Sequence, residues 1–448
     1  MAGSVFDSAL YSNLFPTGDV GRLLTDTAET RAMMLVEGSL AKVQGAQGII
    51  PDESAGFIAR AAMELQIDPA GLAKATGQNG VSVPALVAAF RTLMQAPEHG
   101  QYVHWGATSQ DIMDTGLMLR LRQALTLIEA DLTALLHTLA GLARRHAALP
   151  MAARTWGQHA TPTSFGAVVA SWGAPLLGLV NELPILRRDC LLVSLSGAAG
   201  TACALGPNAA ETRSNLAIAL GLSDPGRSWH TDRSPVLRIA DWMTRVTIAL
   251  AKIGEDVTEL VQSDVDEVSL GGAGASSTMP QKQNPVAPSA LVALSRQAVG
   301  QLGVLQGAAT HRHQRDGAAW FTEWMCLPQI VLGTASACQI ARPLCESLTP
   351  NGEQMMRALK GGLDMIHAEA LSFALTAKMP RPEAQAVVKT LCATALAEGT
   401  PLRGLVARDW PDLDATTLFE ASQQMGQAPT EARSFAALVS NWQQTTNS

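Results

Sequence analysis

The residues Gly271 to Pro285, GGAGASSTMPQKQNP, gather reactive side chains in a segment too rich in glycine, serine and proline for a helix or a strand. Ser276 and Ser277 carry hydroxyls that donate, accept or, once activated, abstract a proton, while Lys282 and Asn284 offer a cation and an amide to a carboxylate. Asn284-Pro285 reads as a helix start, with Asn as cap and Pro at the first helical position, which sets the end of the loop at the positive end of a helix dipole. That arrangement suits an anionic substrate. By composition alone the same segment is equally a solvated linker.

Three further polar stretches have the residue types for binding such a substrate. HWGATSQDIMDT, His104 to Thr115, precedes a long helical pattern. Thr108 with Asp111 fits a capping pattern that places Thr108, Ser109 and Gln110 at a helix N-terminus, where N–H groups bind anions. Capping explains Thr108 and Asp111, but not His104, Ser109 and Gln110 as well. ARTWGQHATPTSFG, Ala153 to Gly166, is turn-rich and carries Trp156 and His159; the histidine either contacts substrate or completes a core hydrogen bond. HRHQRDGAAWFTEW, His311 to Trp324, holds Arg315, suited to bidentate pairing with a carboxylate, although such mixtures also form the polar ends of bundles. Arg22 and Arg31 are read as solvated helix residues, with carboxylate contacts as the alternative.

The elements that must position these groups are helices. Leu121, Leu125, Ile128, Leu132, Leu135, Leu139 and Leu142 recur at steps of four and three, predicting a helix from Asp111 to about Ala147, on the order of 55 Å long at 1.5 Å per residue. Val236, Ala240, Met243, Thr247, Leu250, Val257 and Val261 mark a second between about Pro235 and Asp264, and a third runs from Pro285 to about Ala309. Phe165 to Leu186 is long and apolar enough to consider as a membrane span, but Gly173, Pro175, Asn181, Glu182 and Pro184 interrupt it and a buried bundle helix is expected. Two short helical patterns between about Leu363 and Ala407 join at Met379-Pro380, and the tail after Ser434 is expected to fray. No alternating strand pattern of useful length and no dinucleotide or phosphate-loop motif is present.

Bulk properties narrow the class. Apolar residues make up 47%, charged residues 16% and aromatics 4% of the 448, which implies helices packed through Ala and Leu, with much surface hidden between subunits. The net charge of −7, with no long basic run, argues against nucleic acid or a membrane surface as partner. Local cations must therefore draw in an anionic substrate. The six cysteines are scattered with no metal-ligand spacing, as expected of reduced thiols in a cytosol, and the N-terminus has no export-signal pattern, so a cytoplasmic location is expected.

The order of residues adds a resemblance. SSTMPQKQNP resembles the signature loop of the aspartase/fumarase superfamily, G-S-S-x-M-P-x-K-x-N-P, departing at the first glycine, which is Ala275 here with Gly274 before it. His104 to Thr115 resembles that superfamily's H-x-G-x-T-S-x-D-x-x-D-T motif. The Arg154 to Thr163 stretch is similar to the R-T-H-G-x-H-A-x-P-T segment of adenylosuccinate lyases, except that Trp156 replaces the first histidine, their proton donor toward the leaving group. Gln314 to Trp324 resembles the corresponding stretch of the 3-carboxy-cis,cis-muconate cycloisomerase branch.

The resemblance covers most of the chain and implies an all-α fold of three helical domains: residues 1–110, a central long five-helix bundle over 111–360, and a small domain over 361–448. It further implies a homotetramer with a 20-helix core and active sites shared between subunits. Its shared chemistry removes a proton beside a carboxylate, generates an aci-carboxylate carbanion and expels a leaving group from the neighbouring carbon, with no cofactor and no metal. The expected function is a cycloisomerase, an intramolecular lyase acting on a small-molecule polycarboxylate. Ser276, Ser277 and Lys282 are the expected catalytic residues. His104, Thr108, Ser109, Gln110, Trp156, His159, Asn284 and Arg315 are expected to bind substrate. The alternatives are a C–N lyase that releases fumarate, with His104 or His159 as acid, and a non-catalytic structural protein, whose discriminating feature would be loss of Ser276 or Lys282; both are present.

Overall fold

The structure is a computed structural model and describes residues 3–272, 274–275, 279 and 282–446. The chain divides into two compact units: Met1–Asp131, Leu179–Ile248 and Ala293–Ile340 form one, and Leu132–Gly178, Ala249–Val292 and Ala341–Ser448 the other. Helix α1 (Asp26–Ala46) belongs to the first unit. The five longest helices, α2 (Ser109–Arg145), α3 (Phe165–Cys190), α4 (Ser234–Leu260), α5 (Val286–Gly307) and α6 (Gly317–Ser347), each contribute a segment to both. The fold is all-α, as the helical patterns and the resemblance imply.

In the first unit, α1 starts where the Thr25 hydroxyl accepts a hydrogen bond from the Ala28 N–H at 3.2 Å. Gly38 and Gly45 let it lie close against the helix Asp52–Glu64: a Cβ at either would come within 2.8 Å and 2.3 Å of Ala62 and Ala55 respectively. The resulting core includes Met33, Leu40, Ile58, Leu86 and Phe90 with Ile112 and Leu119 of α2. Arg31 donates to the Ala62 and Met63 carbonyls at 2.7 and 2.6 Å, so its work is to cap a helix C-terminus. All seven apolar residues of the predicted seam on α2 are buried. Trp242 of α4 donates through Nε1 to the Leu179 carbonyl at 2.9 Å.

The second unit departs from two expectations. The stretch around Trp156 is not simply turn but an antiparallel hairpin, β1 (Pro150–Thr155) with β2 (Gln158–Ser164). A two-residue loop joins the strands, a length that favours hairpin pairing even where strand patterning is weak. The tail does not fray after Ser434: Ala428–Thr446 is helical, because Phe435, Ala436 and Val439 are buried, with the Phe435 ring against Gly173 of α3. Of the C-terminal patterns, Ala368–Leu375 and Arg381–Glu398 flank Met379-Pro380 as expected, but a further break at Pro401 makes Leu402–Asp409 a separate helix; the core holds Leu371, Leu375, Val388, Leu391 and Leu402.

Among the described residues three helices, α2, α3 and α6, are long and apolar enough to cross a membrane by length and composition. In α3, however, Phe165, Val169, Trp172 and Leu176 are buried, and Trp172 Nε1 donates to Asp256 Oδ2 at 2.7 Å. A carboxylate partner belongs to a protein interior and is costly in lipid.

The helix following the signature loop is placed by a glycine. A Cβ on Gly254 of α4 would lie 2.6 Å from the Pro288 carbonyl oxygen and 3.2 Å from Leu291 Cβ of α5. Gly254→Ala is expected to lower stability by about 1–3 kcal/mol through overpacking, exceeding the gain in helix propensity of ~1 kcal/mol. Urea denaturation checks this, and an unchanged or raised midpoint would contradict so close an approach.

Candidate active site

In the first unit Asp111, at the start of α2, gathers the predicted Thr108 and several groups from outside the motif. The Thr108 carbonyl accepts the Ile112 N–H, so Thr108 is the cap residue, and its own N–H donates to Asp111 Oδ2 at 3.0 Å. This is the returning half of a capping box. Asp111 is fully buried, and its carboxylate also accepts from Ser194 Oγ (3.1 Å), Ser196 N (2.9 Å), Gly197 N (2.9 Å) and His230 Nε2 (2.8 Å). One carboxylate thus ties the glycine-rich Ser196–Thr201 turn to the N-terminus of α2. Thr108 and Ser109 remain half-exposed beside it.

A hydrogen-bonded chain runs from the core to Arg315. Arg233 lies between two buried carboxylates. It donates to Asp114 through Nη1 (2.8 Å) and Nη2 (3.0 Å), and to Glu323 through Nε (2.9 Å) and Nη2 (2.6 Å), with its guanidinium 4.9 Å from the Trp229 ring. Burial pushes the Glu323 carboxyl up, and Arg233 opposes that rise. Asp114 Oδ2 accepts from Gln110 Nε2 at 3.2 Å, and the same amide nitrogen donates to the His230 carbonyl at 2.9 Å. The amide orientation is therefore fixed, and Oε1 is left to accept Arg315 Nε at 2.8 Å. Arg315 Nη2 donates to the Ala198 carbonyl at 3.3 Å, while Nη1 has no partner among the described residues. The exposed outer edge of the guanidinium suits a carboxylate.

His104 is held in a left-handed backbone conformation, φ +64°, and its Nδ1 meets the buried Glu37 Oε1 at 2.7 Å. Burial opposes the charged ring, but the hydrogen bond to Glu37 and the negative charges of Glu37 and Asp111 outweigh it, and the His104 pKa is raised above its ordinary value. A raised folded-state pKa stabilises the fold fully below the unfolded histidine value of about 6.5, and that contribution is lost as pH rises through the folded value. Glu37→Gln is therefore expected to cost about 1–3 kcal/mol near pH 6, with the deficit shrinking towards pH 8.5. Denaturation of both proteins across this range is the check, and a pH-independent difference would refute the ion pair.

The second unit carries the other predicted residues. Ser276 and Ser277 lie outside the described residues. The ends of the signature loop are tied by a short antiparallel ladder, Gly274 opposite Asn284 and Ala275 opposite Gln283. Lys282 is exposed, its N–H donating to the Met279 carbonyl at 3.0 Å. Asn284 is engaged in the ladder, so the helix begins at Val286, and the Pro285 carbonyl accepts its first bond from Ser289 N at 3.1 Å. The helix starts one residue later than Asn284-Pro285 suggests.

Trp156 and Gly157 form the hairpin loop with φ of +56° and +72°, a pair of positive values typical of a type I′ turn. Such a φ is rare for a bulky residue, and the indole is 100% exposed in the single chain. His159, on β2 opposite Arg154, is exposed too. Arg154 fixes the hairpin by a bidentate pair with the buried Glu267 at 2.8 and 2.9 Å.

Fold and motifs together define a lyase class. The profile of the family described as Lyase matches residues 25–300, more than half of the chain, and the chain belongs to that family, within the aspartase/fumarase superfamily. The 3-carboxy-cis,cis-muconate cycloisomerase of Pseudomonas aeruginosa is 36% identical over 405 residues, covering 89% of this chain and 88% of that protein. The nitrosuccinate lyase of Streptomyces davaonensis is 32% identical over 450 residues, covering 95% and 94%. Among solved structures, the 3-carboxy-cis,cis-muconate lactonizing enzyme from Pseudomonas putida matches with a TM-score of 0.90 at 32% identity, over 97% of this chain and 100% of that one.

Sequence reasoning missed Glu37, His230 and Arg233 altogether. Glu37 and His230 stand outside every polar motif, and only Arg233 had a signal, a lone cation next to a helix start.

Proposed function

We propose that this protein is a cycloisomerase that converts 3-carboxy-cis,cis-muconate to 4-carboxymuconolactone in protocatechuate breakdown. The observation that carries the reading is similarity to enzymes named for that activity across 89% of the chain. In the lactonising direction a muconate carboxylate oxygen adds to a carbon of its own double bond, and the electron pair moves to the carbon beside another carboxylate. Ser276 then returns a proton to that carbon. Ser277 and Lys282 support the developing charge; Lys282, Asn284 and Arg315 hold carboxylates; His104, Thr108, Ser109 and His159 complete the substrate contacts, while the buried Gln110, expected to bind substrate, instead positions Arg315. Arg315, with its Nε committed to Gln110, offers its outer edge to one of the three carboxylates. Hydrogen bonds and cations stabilise such a carbanion without a cofactor.

Trp156 fits this assignment. An amine needs a general acid as it departs, whereas a carboxylate with a pKa near 4 leaves unprotonated at neutral pH. The indole shapes the pocket and offers a flat face to a conjugated diene. Its full exposure in the single chain, on a turn strained for a bulky residue, favours a homotetramer in which another subunit completes each site. Relatives of this kind support a metabolic enzyme acting on a small molecule, and the cytoplasm is the proposed location.

A second reading is favoured by the nitrosuccinate lyase relative, which matches 95% of the chain: elimination across a carbon–nitrogen bond with release of fumarate. Purified protein is given 3-carboxymuconate, nitrosuccinate and an amino-linked succinate in parallel. Loss of diene absorbance with the first is the expected result. No change there, alongside fumarate release from either of the others, would overturn the cycloisomerase.

A further inference from the structure

A cavity of about 480 Å³ opens in the first unit beside α1, α2 and α6, with Met33, Leu117, Leu121, Trp320, Trp324 and Leu327 among its walls. The volume and the apolar, aromatic lining are those of small-molecule sites, yet none of the predicted site residues lines it. Trp320 and Trp324 stand with ring centroids 4.9 Å apart at 58°, presenting flat apolar surface.

The polar groups restrict what fits. Asp114 and Glu323 border the cavity, but their carboxylates are committed to Arg233. Arg120 also borders it. Its Nη2 donates to Glu29 Oε2 at 3.3 Å, and its Nε is enclosed by protein rather than open to the cavity. Four carboxylates, those of Asp26, Glu29, Asp114 and Glu323, face two guanidinium groups, those of Arg120 and Arg233, so the surroundings carry an excess of negative charge. A polyanion is disfavoured there.

We propose that this cavity binds a flat, uncharged, largely apolar small molecule whose ring lies against Trp320 and Trp324. This site is independent of the reaction proposed above, because it is tested by binding alone.

The test titrates full-length protein with coumarin and with 1-tetralone, both flat neutral carbonyl compounds, by calorimetry and ligand-observed NMR. Coumarin-3-carboxylate is the charged control. Saturable binding of at least one neutral probe is expected, with the carboxylate about tenfold weaker or worse. Leu117→Phe fills the cavity, and Ala73→Phe, at an exposed lining position that does not threaten folding, blocks its mouth; each should lower affinity at least about tenfold at unchanged Tm. Failure of both neutral probes to saturate, equal affinity in Ala73→Phe and the parent, or tighter binding of the carboxylate would each overturn the proposal.

Discussion

Replacing Ser276 with alanine is expected to lower kcat by roughly 10²–10⁴-fold, the range for loss of a positioned general acid or base, with Tm and circular dichroism unchanged. The effect should fall on kcat more than on KM, because in the proposed mechanism the hydroxyl transfers a proton to carbon in the transition state and contributes little to holding the three carboxylates. Ser277→Ala provides the comparison and should be the milder change. Turnover near that of the parent in Ser276→Ala would move the proton transfer to Ser277 or His159 and leave the signature loop with a binding role only.

Arg233→Met is expected to have the largest effect on stability of any single change outside the apolar core, about 3–5 kcal/mol, as for other buried ion pairs that lose one partner. Two buried carboxylates, Asp114 and Glu323, would lose their common cation. Glu323 is already pushed towards its protonated form by burial, with Arg233 opposing. Without the arginine the buried Glu323 carboxyl would bind its proton more tightly folded than unfolded, so the variant should regain stability as pH falls from 7 towards 5, the reverse of an ordinary acid transition. Denaturant titrations at the two pH values measure this. A deficit below about 1 kcal/mol, the scale of an exposed pair, would show the triad to be dispensable. Because Asp114 orients Gln110 and Gln110 holds Arg315, any folded fraction of the variant should also show a raised KM for a polycarboxylate.

The helices were the most legible part. The seam on α2 was read from leucine spacing, and all seven of its residues are buried; the end of the C-terminal helical pattern at Met379-Pro380 was read from the proline. Both are local signals, carried by residues three, four or one apart. The capping pair Thr108 and Asp111 is of the same kind, and its returning hydrogen bond is present. The β1–β2 hairpin was not legible because its strands do not alternate in polarity, so the pairing depends on a two-residue turn and on Arg154 meeting Glu267. The helical tail was overlooked because its few apolar residues gain stability only where Gly173 makes room for Phe435.

From residue order alone followed the family, the all-α architecture and the stretches proposed to carry the chemistry, since motif letters and helical periodicity are properties of neighbouring residues. Tertiary structure alone decided the partners: Glu37 for His104, 67 residues away, and Arg233 for Asp114 and Glu323, 119 and 90 residues away. Charges buried together must be matched in space, and that matching leaves no spacing along the chain to read.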